Sequence, residues 1–273
     1  MTGEGKRQGS GDGPALSAPG ALVRRGDPDR FLAALFAPAP ARETLFVLYA
    51  LNLELARACE ATREPHISLI RLAWWREVVE GAERRHEVAT PLAAALSERR
   101  LDRAALLALI DARESEVAAE FATLAEWRAY LFAGEGGLAA AAGAVLGAQP
   151  VPALRAFGAA YGAARLLRGI PALARRGRVL LPADILAAHG LSAEAVGVAE
   201  APALAPVRRQ LASEAAAWLA EARRSKLPRA ALPAALPAVL AARDLKRPGE
   251  TGAGPRGLGA RLSVLMAALR GRV

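Results

Sequence analysis

Five arginines, Arg165, Arg168, Arg175, Arg176 and Arg178, crowd one short stretch of this chain. Guanidinium groups form forked hydrogen bonds to phosphate oxygens, so such a cluster suits a diphosphate or a lipid headgroup held without metal. The same residues serve equally well to pin the Arg176-Gly177-Arg178 loop to the body of the protein through carboxylate or carbonyl contacts. A second candidate lies upstream, where Glu60 and Glu64 stand four residues apart and would share a helix face as half of a magnesium clamp. The plainer reading is an exposed helix end neutralised by Arg57 or Arg63, because a metal held by one helix keeps most of its water. Tyr49 and the adjacent pair Trp74 and Trp75 are candidates for the wall of an apolar cavity. Neighbouring helix positions point about 100° apart, so at least one of the tryptophans is expected in ordinary core packing.

Other chemistry is thinly represented. The single cysteine, Cys59, rules out an internal disulfide and a cysteine-rich zinc site. His66, His86 and His189 have no metal-ligand spacing and are assigned no role. The net charge of +9 is spread along the whole length. That favours contact with an anionic membrane surface over nucleic acid, for which no basic run interleaved with aromatics and no recognition motif is present.

The elements that must position these residues are helical. Ala and Leu dominate while aromatic residues make up only 5% of the chain, a balance that favours helix over sheet and predicts an all-α fold in one domain. Residues 1–26 are rich in Gly, Ser and Pro and read as a disordered leader. Asp27-Pro28-Asp29 starts a short helix through Leu35. A long helix is expected from 41 to about 63, and another begins with Ser68 as its cap. Further helices are expected at 91–98, 103–120, 123–148, 152–174, 202–225, 229–243 and 257–270. The uncharged run Gly136–Leu154 is too rich in Ala and Gly, and too broken by Gln149, Pro150 and Pro152, to span a membrane. After a Gly/Pro linker that opens the segment 246–273, the tail places Leu258, Leu262, Leu265, Met266 and Leu269 on one face with Arg256, Arg261, Arg270 and Arg272 around it. Such a helix either lies in a membrane interface or closes the bundle.

Two segments carry a resemblance to a known family. Arg175-Arg176-Gly177-Arg178-Val179-Leu180-Leu181-Pro182 resembles the end of the second aspartate-rich motif of squalene and phytoene synthases, and Leu48-Tyr49-Ala50-Leu51 resembles the anchor of the first. Ile70-Arg71-Leu72-Ala73-Trp74-Trp75 and Phe121–Trp127 are similar to intermediate landmarks, and the likeness covers about residues 28–245. It implies the isoprenoid-synthase bundle around a central cavity, with domain limits near 27 and 245. It also shows what is missing. The acids of the first motif fall on Ala56, Arg57 and Glu60, and those of the second on Gly169, Ala172 and Leu173, while Arg168 is kept. Ionising an allylic diphosphate needs magnesium held by several hard oxygen ligands, and five of the six positions offer none.

The resemblance therefore implies a family member without prenyl transfer or metal cofactor, similar to the branch that includes the mitochondrial assembly factor for respiratory complex I. The expected role is a scaffold that binds a protein partner, such as complex I subunits, or an anionic lipid. The expected location is cytoplasmic and peripheral on the inner membrane. The alternative is an active magnesium-dependent enzyme condensing prenyl diphosphates, with ligands recruited from Glu54, Glu60, Glu64 or Asp111.

Overall fold

A computed structural model describes residues 16–60, 64–117, 120–148, 151–197, 202–248, 254 and 256–273. Among these there is no strand; the chain forms α1 (Ala18–Gly26), α2 (Pro28–Ala34), α3 (Ala39–Glu60), α4 (Pro65–Glu80), α5 (Ala89–Ser97), α6 (Arg103–Val117), α7 (Leu124–Ala133) and α8 (Glu135–Val145). It continues through α9 (Pro152–Arg175), α10 (Ala183–Ala188), α11 (Ala193–Val196), α12 (Ala205–Arg224), α13 (Leu232–Ala235), α14 (Pro237–Lys246) and α15 (Leu258–Arg270). The all-α expectation holds.

The central element is α9, against which α7, α8, α12, α13 and α14 pack. Two glycines set its distance from α8. A side chain at Gly158 would collide with the Glu135 carbonyl, and a Cβ at Gly162 would stand 2.6 Å from the Cγ of Glu135. Close approach of the two backbones thus requires glycine at these two turns, and it carries Glu135 into the interior. On the far side of the bundle, the aliphatic core of α3 (Leu45, Leu48, Leu51 and Leu55 all fully buried) meets α4, α5, α6 and α8.

Several boundaries differ from expectation. The leader is not disordered throughout: α1 occupies residues 18–26, capped by the Ser17 hydroxyl, which accepts from Gly20 N–H at 3.2 Å. Leu22 and Val23 are buried against α3, and averaging composition over the whole segment concealed this short apolar stripe; residues 1–15 lie outside the described residues. Ser68 is no cap, because α4 already begins at Pro65, and proline is favoured in a first turn. The expected helix 123–148 is two helices broken at Gly134. Its start is as read, with Thr123 Oγ1 accepting from Glu126 N–H at 3.2 Å while the Glu126 carboxylate reaches back to Ala122 N–H at 2.8 Å. α9 accommodates Pro171 four residues before its end, at the loss of one backbone donor.

The C-terminal helix does close on the bundle, but by the face opposite to its leucines. Val264 is buried among Ala33, Leu232, Leu236 and Leu240, with Ala260, Ala267 and Ala268 beside it. The leucine face is left in solvent, Leu258 at 77% and Leu269 at 69% exposure. No described helix is long and apolar enough to cross a membrane.

Candidate functional site

The ends of α3 and α9 meet at one mouth of the bundle. Arg176, just past α9, forms an ion pair with Glu60, the last residue of α3. A cavity of about 430 Å³ opens there, lined by Cys59, Glu116, Glu120, Arg176, Arg178 and Glu194 among others. The Glu60–Arg176 pair thus brings together the ends of the two helices that carry the degenerate motifs. What the motifs present there is not a metal clamp. Arg57 turns aside to pair with Glu54 at 2.5 Å. Gly169 has open space, the nearest atom to a built Cβ being Leu173 Cδ1 at 3.9 Å, and Leu173 packs into the apolar cluster around Leu167 and Ile170. Glu60 and Glu64 do not share a helix face, because α3 ends at Glu60 and Glu64 precedes α4. Among the described residues no group of three His, Cys, Asp or Glu side chains could hold a metal ion. The residues at these positions do not fit a magnesium cluster.

Below the mouth, the interior is polar and saturated with charge. Arg178 donates to Glu116 Oε1 at 2.7 Å, and Glu116 also receives Arg113 at 2.6 Å and the Tyr130 hydroxyl at 2.8 Å. Arg113 continues to Glu135 at 3.5 Å. Glu135 is paired with Arg30 and lies 3.8 Å from Arg165. Arg30 in turn holds Asp27 at 2.8 Å, and Arg165 approaches the same carboxylate at 3.5 Å. A second branch joins Tyr161 to Asp29 at 3.0 Å, Arg256 to Asp29 at 2.7 Å and to both oxygens of Asp244, and Arg168 to Asp244 at 3.7 Å. The guanidinium of Arg30 lies over the Tyr161 ring, 4.8 Å from its centre.

Burial opposes every charge in this network, and the partners decide the outcome. For Glu135, burial acts against ionisation, yet Arg30, Arg165 and Arg113 bring its carboxyl down to about 2. Glu116 is likewise lowered by Arg113 and Arg178 against the effect of burial. Burial and the neighbouring Glu116 push the Tyr130 hydroxyl well above the ordinary range, and burial with Asp27 does the same for Tyr161. These tyrosines hold their protons and act as fixed donors. Burial, reinforced by Glu116, also raises Cys59 to about 12, so its thiol is not a nucleophile.

Of the arginines read as candidate anion binders, Arg165, Arg168, Arg176 and Arg178 are each engaged with the chain's own carboxylates, while Arg175 is exposed at the end of α9. The expected cavity wall needs correction. Tyr49 does lie inside, its ring 5.8 Å from the Arg30 guanidinium, and burial raises its hydroxyl to about 12. Trp75 is 4% exposed in the core, as expected for one of the pair, with Trp74 packed beside it, and both meet His86 edge-on and line a surface pocket with Glu54, Arg57 and Arg71 instead of the internal cavity. Sequence reasoning missed Arg30, Arg113, Glu116 and Glu135, the middle of the network. One signal was available: Glu135 is a lone acid beside a long run of Ala and Gly, where an unpaired charge could not be tolerated.

The geometry can be set beside known proteins. The squalene/phytoene synthase family profile matches residues 23–263. This chain belongs to that family. A structure of a dehydrosqualene synthase in complex with ligand superposes with a TM-score of 0.71 at 12% identity, over 92% of this chain and 94% of the other. Squalene synthase HpnC from Alicyclobacillus acidocaldarius does so with 0.65 at 18%, over 93% and 92%. At these identities the likeness shows the fold. In sequence, the chain is 30% identical over 197 residues to assembly factor 6 of NADH dehydrogenase (ubiquinone) complex I from Homo sapiens, covering 66% of this chain and 59% of that protein. The Rattus norvegicus protein of the same name is 31% identical over 181 residues, 63% of this chain and 54% of the other, and the Drosophila melanogaster homolog is 28% identical over 188 residues, 64% and 56%. The matched part thus spans less than two thirds of each of these relatives.

Proposed function

We propose that this family member does not transfer prenyl groups and acts as an assembly factor for a respiratory NADH dehydrogenase, holding a protein partner on the isoprenoid-synthase scaffold. The observation that carries the reading is the lack of metal ligands at the positions where the family's motifs fall, beside an internal ion network that engages the nearby arginines. Ala56, Gly169, Ala172 and Leu173 supply no ligand, Arg57 adds a cation, and Glu60 is engaged by Arg176. A diphosphate leaving group would find neither magnesium ligands nor free guanidinium groups at Arg165 and Arg178, whose charge is already met by Asp27, Glu135 and Glu116. The similarity to complex I assembly factors supports the role that remains. Disrupting the gene in its native host and resolving membrane complexes on native gels tests it. Loss of assembled NADH dehydrogenase, restored by the wild-type gene, is the expected result, and an unchanged complex would overturn the reading.

The outer face of α15 supports work at a membrane surface. Leu258, Leu262, Leu265, Met266 and Leu269 form an exposed apolar strip. Arg261, Arg270 and Arg272 are exposed beside it, Arg243 and Arg229 come close to its two ends, and from Gly254 to Val273 the chain has no acidic residue. Exposed leucines among cations suit shallow insertion between anionic headgroups. Flotation with anionic liposomes tests this: binding is expected at low salt and should fall as salt rises.

A further inference from the structure

Away from the mouth, a groove of about 900 Å³ lies between α6, α8 and the segments that precede α6 and α9. It is about twice the size of the mouth cavity and falls in the range of ligand sites. Its floor is aliphatic, with Leu101, Leu106, Ala141 and Leu154 buried there. Among the described residues no aromatic, hydroxyl or amide side chain lines it. Its rim carries four arginines, Arg99, Arg100, Arg103 and Arg155.

Arg100 is committed to Glu98 at 2.7 Å and to the Thr44 hydroxyl at 2.8 Å, while the other three rim arginines have cationic capacity to spare. The one acid among the groove's described lining residues, Asp102, is committed to the α6 N-terminus, where its oxygens accept from Ala104 N–H at 3.1 Å and Ala105 N–H at 3.3 Å. The Arg99 side chain makes no hydrogen bond or ion pair among the described residues, and Arg99 is their only non-glycine residue with positive φ, at 55°. This φ is the left-handed position that ends α5, where Arg99 N–H donates to the Leu96 carbonyl at 3.1 Å and Arg100 N–H to the Ala95 carbonyl at 2.8 Å, and the turn sets the Arg99 guanidinium at the groove edge. Arg155 has one long contact, 3.5 Å to the Phe132 carbonyl, and Arg103 spends one Nη on the Val79 carbonyl.

We propose that this groove binds an anionic amphiphile, an aliphatic chain lying on the leucine and alanine floor with its phosphate or carboxylate head held by the arginine rim. The wall chemistry selects this class. An aliphatic floor without hydroxyl or amide groups offers nothing to a sugar or a base, and the guanidinium forks match phosphate and carboxylate oxygens. The site is separate from the mouth and from α15, and does not depend on the assembly reading.

Calorimetric titration of the full chain with oleoyl lysophosphatidic acid, oleoyl lysophosphatidylcholine and inorganic phosphate, each below its micelle concentration, tests the proposal. The lysophosphatidic acid should bind one to one. The choline lipid, with the same chain and no net charge, should bind at least about tenfold more weakly, and phosphate alone should not saturate. Arg99→Glu/Arg155→Glu should weaken the acidic lipid by about tenfold or more, and Ala140→Phe, which fills the groove without changing charge, should weaken both lipids. Leu262→Ser/Leu269→Ser on α15 should leave the titration unchanged, separating this groove from a membrane-facing surface. Thermal melts check that each variant is folded. Absence of binding, equal affinity for the two lipids, or parental affinity in both the charge-reversed and the filled variant would overturn the proposal.

Discussion

Replacing Glu135 with Gln removes one negative charge from the centre of the ion network while keeping its size. In the native chain the carboxylate is 12% exposed, is paired with Arg30, and lies near Arg113 and Arg165. Its carboxyl is held at about 2, which corresponds to roughly 3 kcal/mol favouring the ionised form in the folded state. Removal of one partner from a buried ion pair independently suggests about 3–5 kcal/mol. Glu135→Gln should therefore lower Tm by roughly 5–9 °C for a domain of this size. The pH dependence has a definite sign. Because the folded pKa is depressed, the unfolded state binds more protons between about pH 4.3 and the folded value, so the contribution is complete above that window and is lost as pH falls toward 2. Urea titrations of parent and variant from pH 2 to 7 measure both effects. The variant should show a shallower loss in acid, Glu116 accounting for what remains. Parental stability at pH 7 with an unchanged acid profile would refute the view that the network is held together by ionised Glu135.

Other consequences are equally open to measurement. Gly158→Ala drives a methyl group toward the Glu135 carbonyl and the Ala139 Cβ, so it should cost about 1–3 kcal/mol in a urea melt, and a neutral result would mean that α8 and α9 can separate freely. Leu262→Ser/Leu269→Ser should reduce binding to anionic liposomes by about tenfold or more per leucine without lowering Tm, since both residues are exposed; undiminished flotation would remove α15 from the membrane account. Ala56→Asp/Gly169→Asp/Leu173→Asp should lower Tm by removing Leu173 from its apolar cluster, gain no stability from millimolar magnesium, and show no diphosphate turnover. A variant as stable as the parent with magnesium-dependent turnover would show a switched-off enzyme with its geometry intact.

The helical order was legible because Ala, Leu and capping residues act locally. Asp27-Pro28 marks a helix start through contacts within a few residues, the helix expected from 123 begins with equally local contacts of Thr123 and Glu126, and the Glu60–Arg176 pair joins the ends of the helices that carry the motif remnants. The network was not legible for the opposite reason. Arg30 meets Glu135, and Arg256 meets Asp29, across more than 100 residues of sequence, and no periodicity records such a pairing. α15 shows a related limit. Its leucine stripe was evident, yet burial went to the narrower face of Val264 and three alanines, because the surface offered by Ala33, Leu236 and Leu240 fits small side chains. Helix geometry placed one of the two adjacent tryptophans in the core, which is Trp75, but their edge-on packing with His86 depends on a loop whose course the sequence does not reveal.

The central claim, that the chain lacks the family's metal clamp and does not transfer prenyl groups, is tested most directly by incubating the purified chain with farnesyl or geranylgeranyl diphosphate and magnesium and measuring released pyrophosphate and condensed product. The account predicts release no greater than in a no-protein control, with or without EDTA. Turnover well above that control, abolished by EDTA, would contradict it.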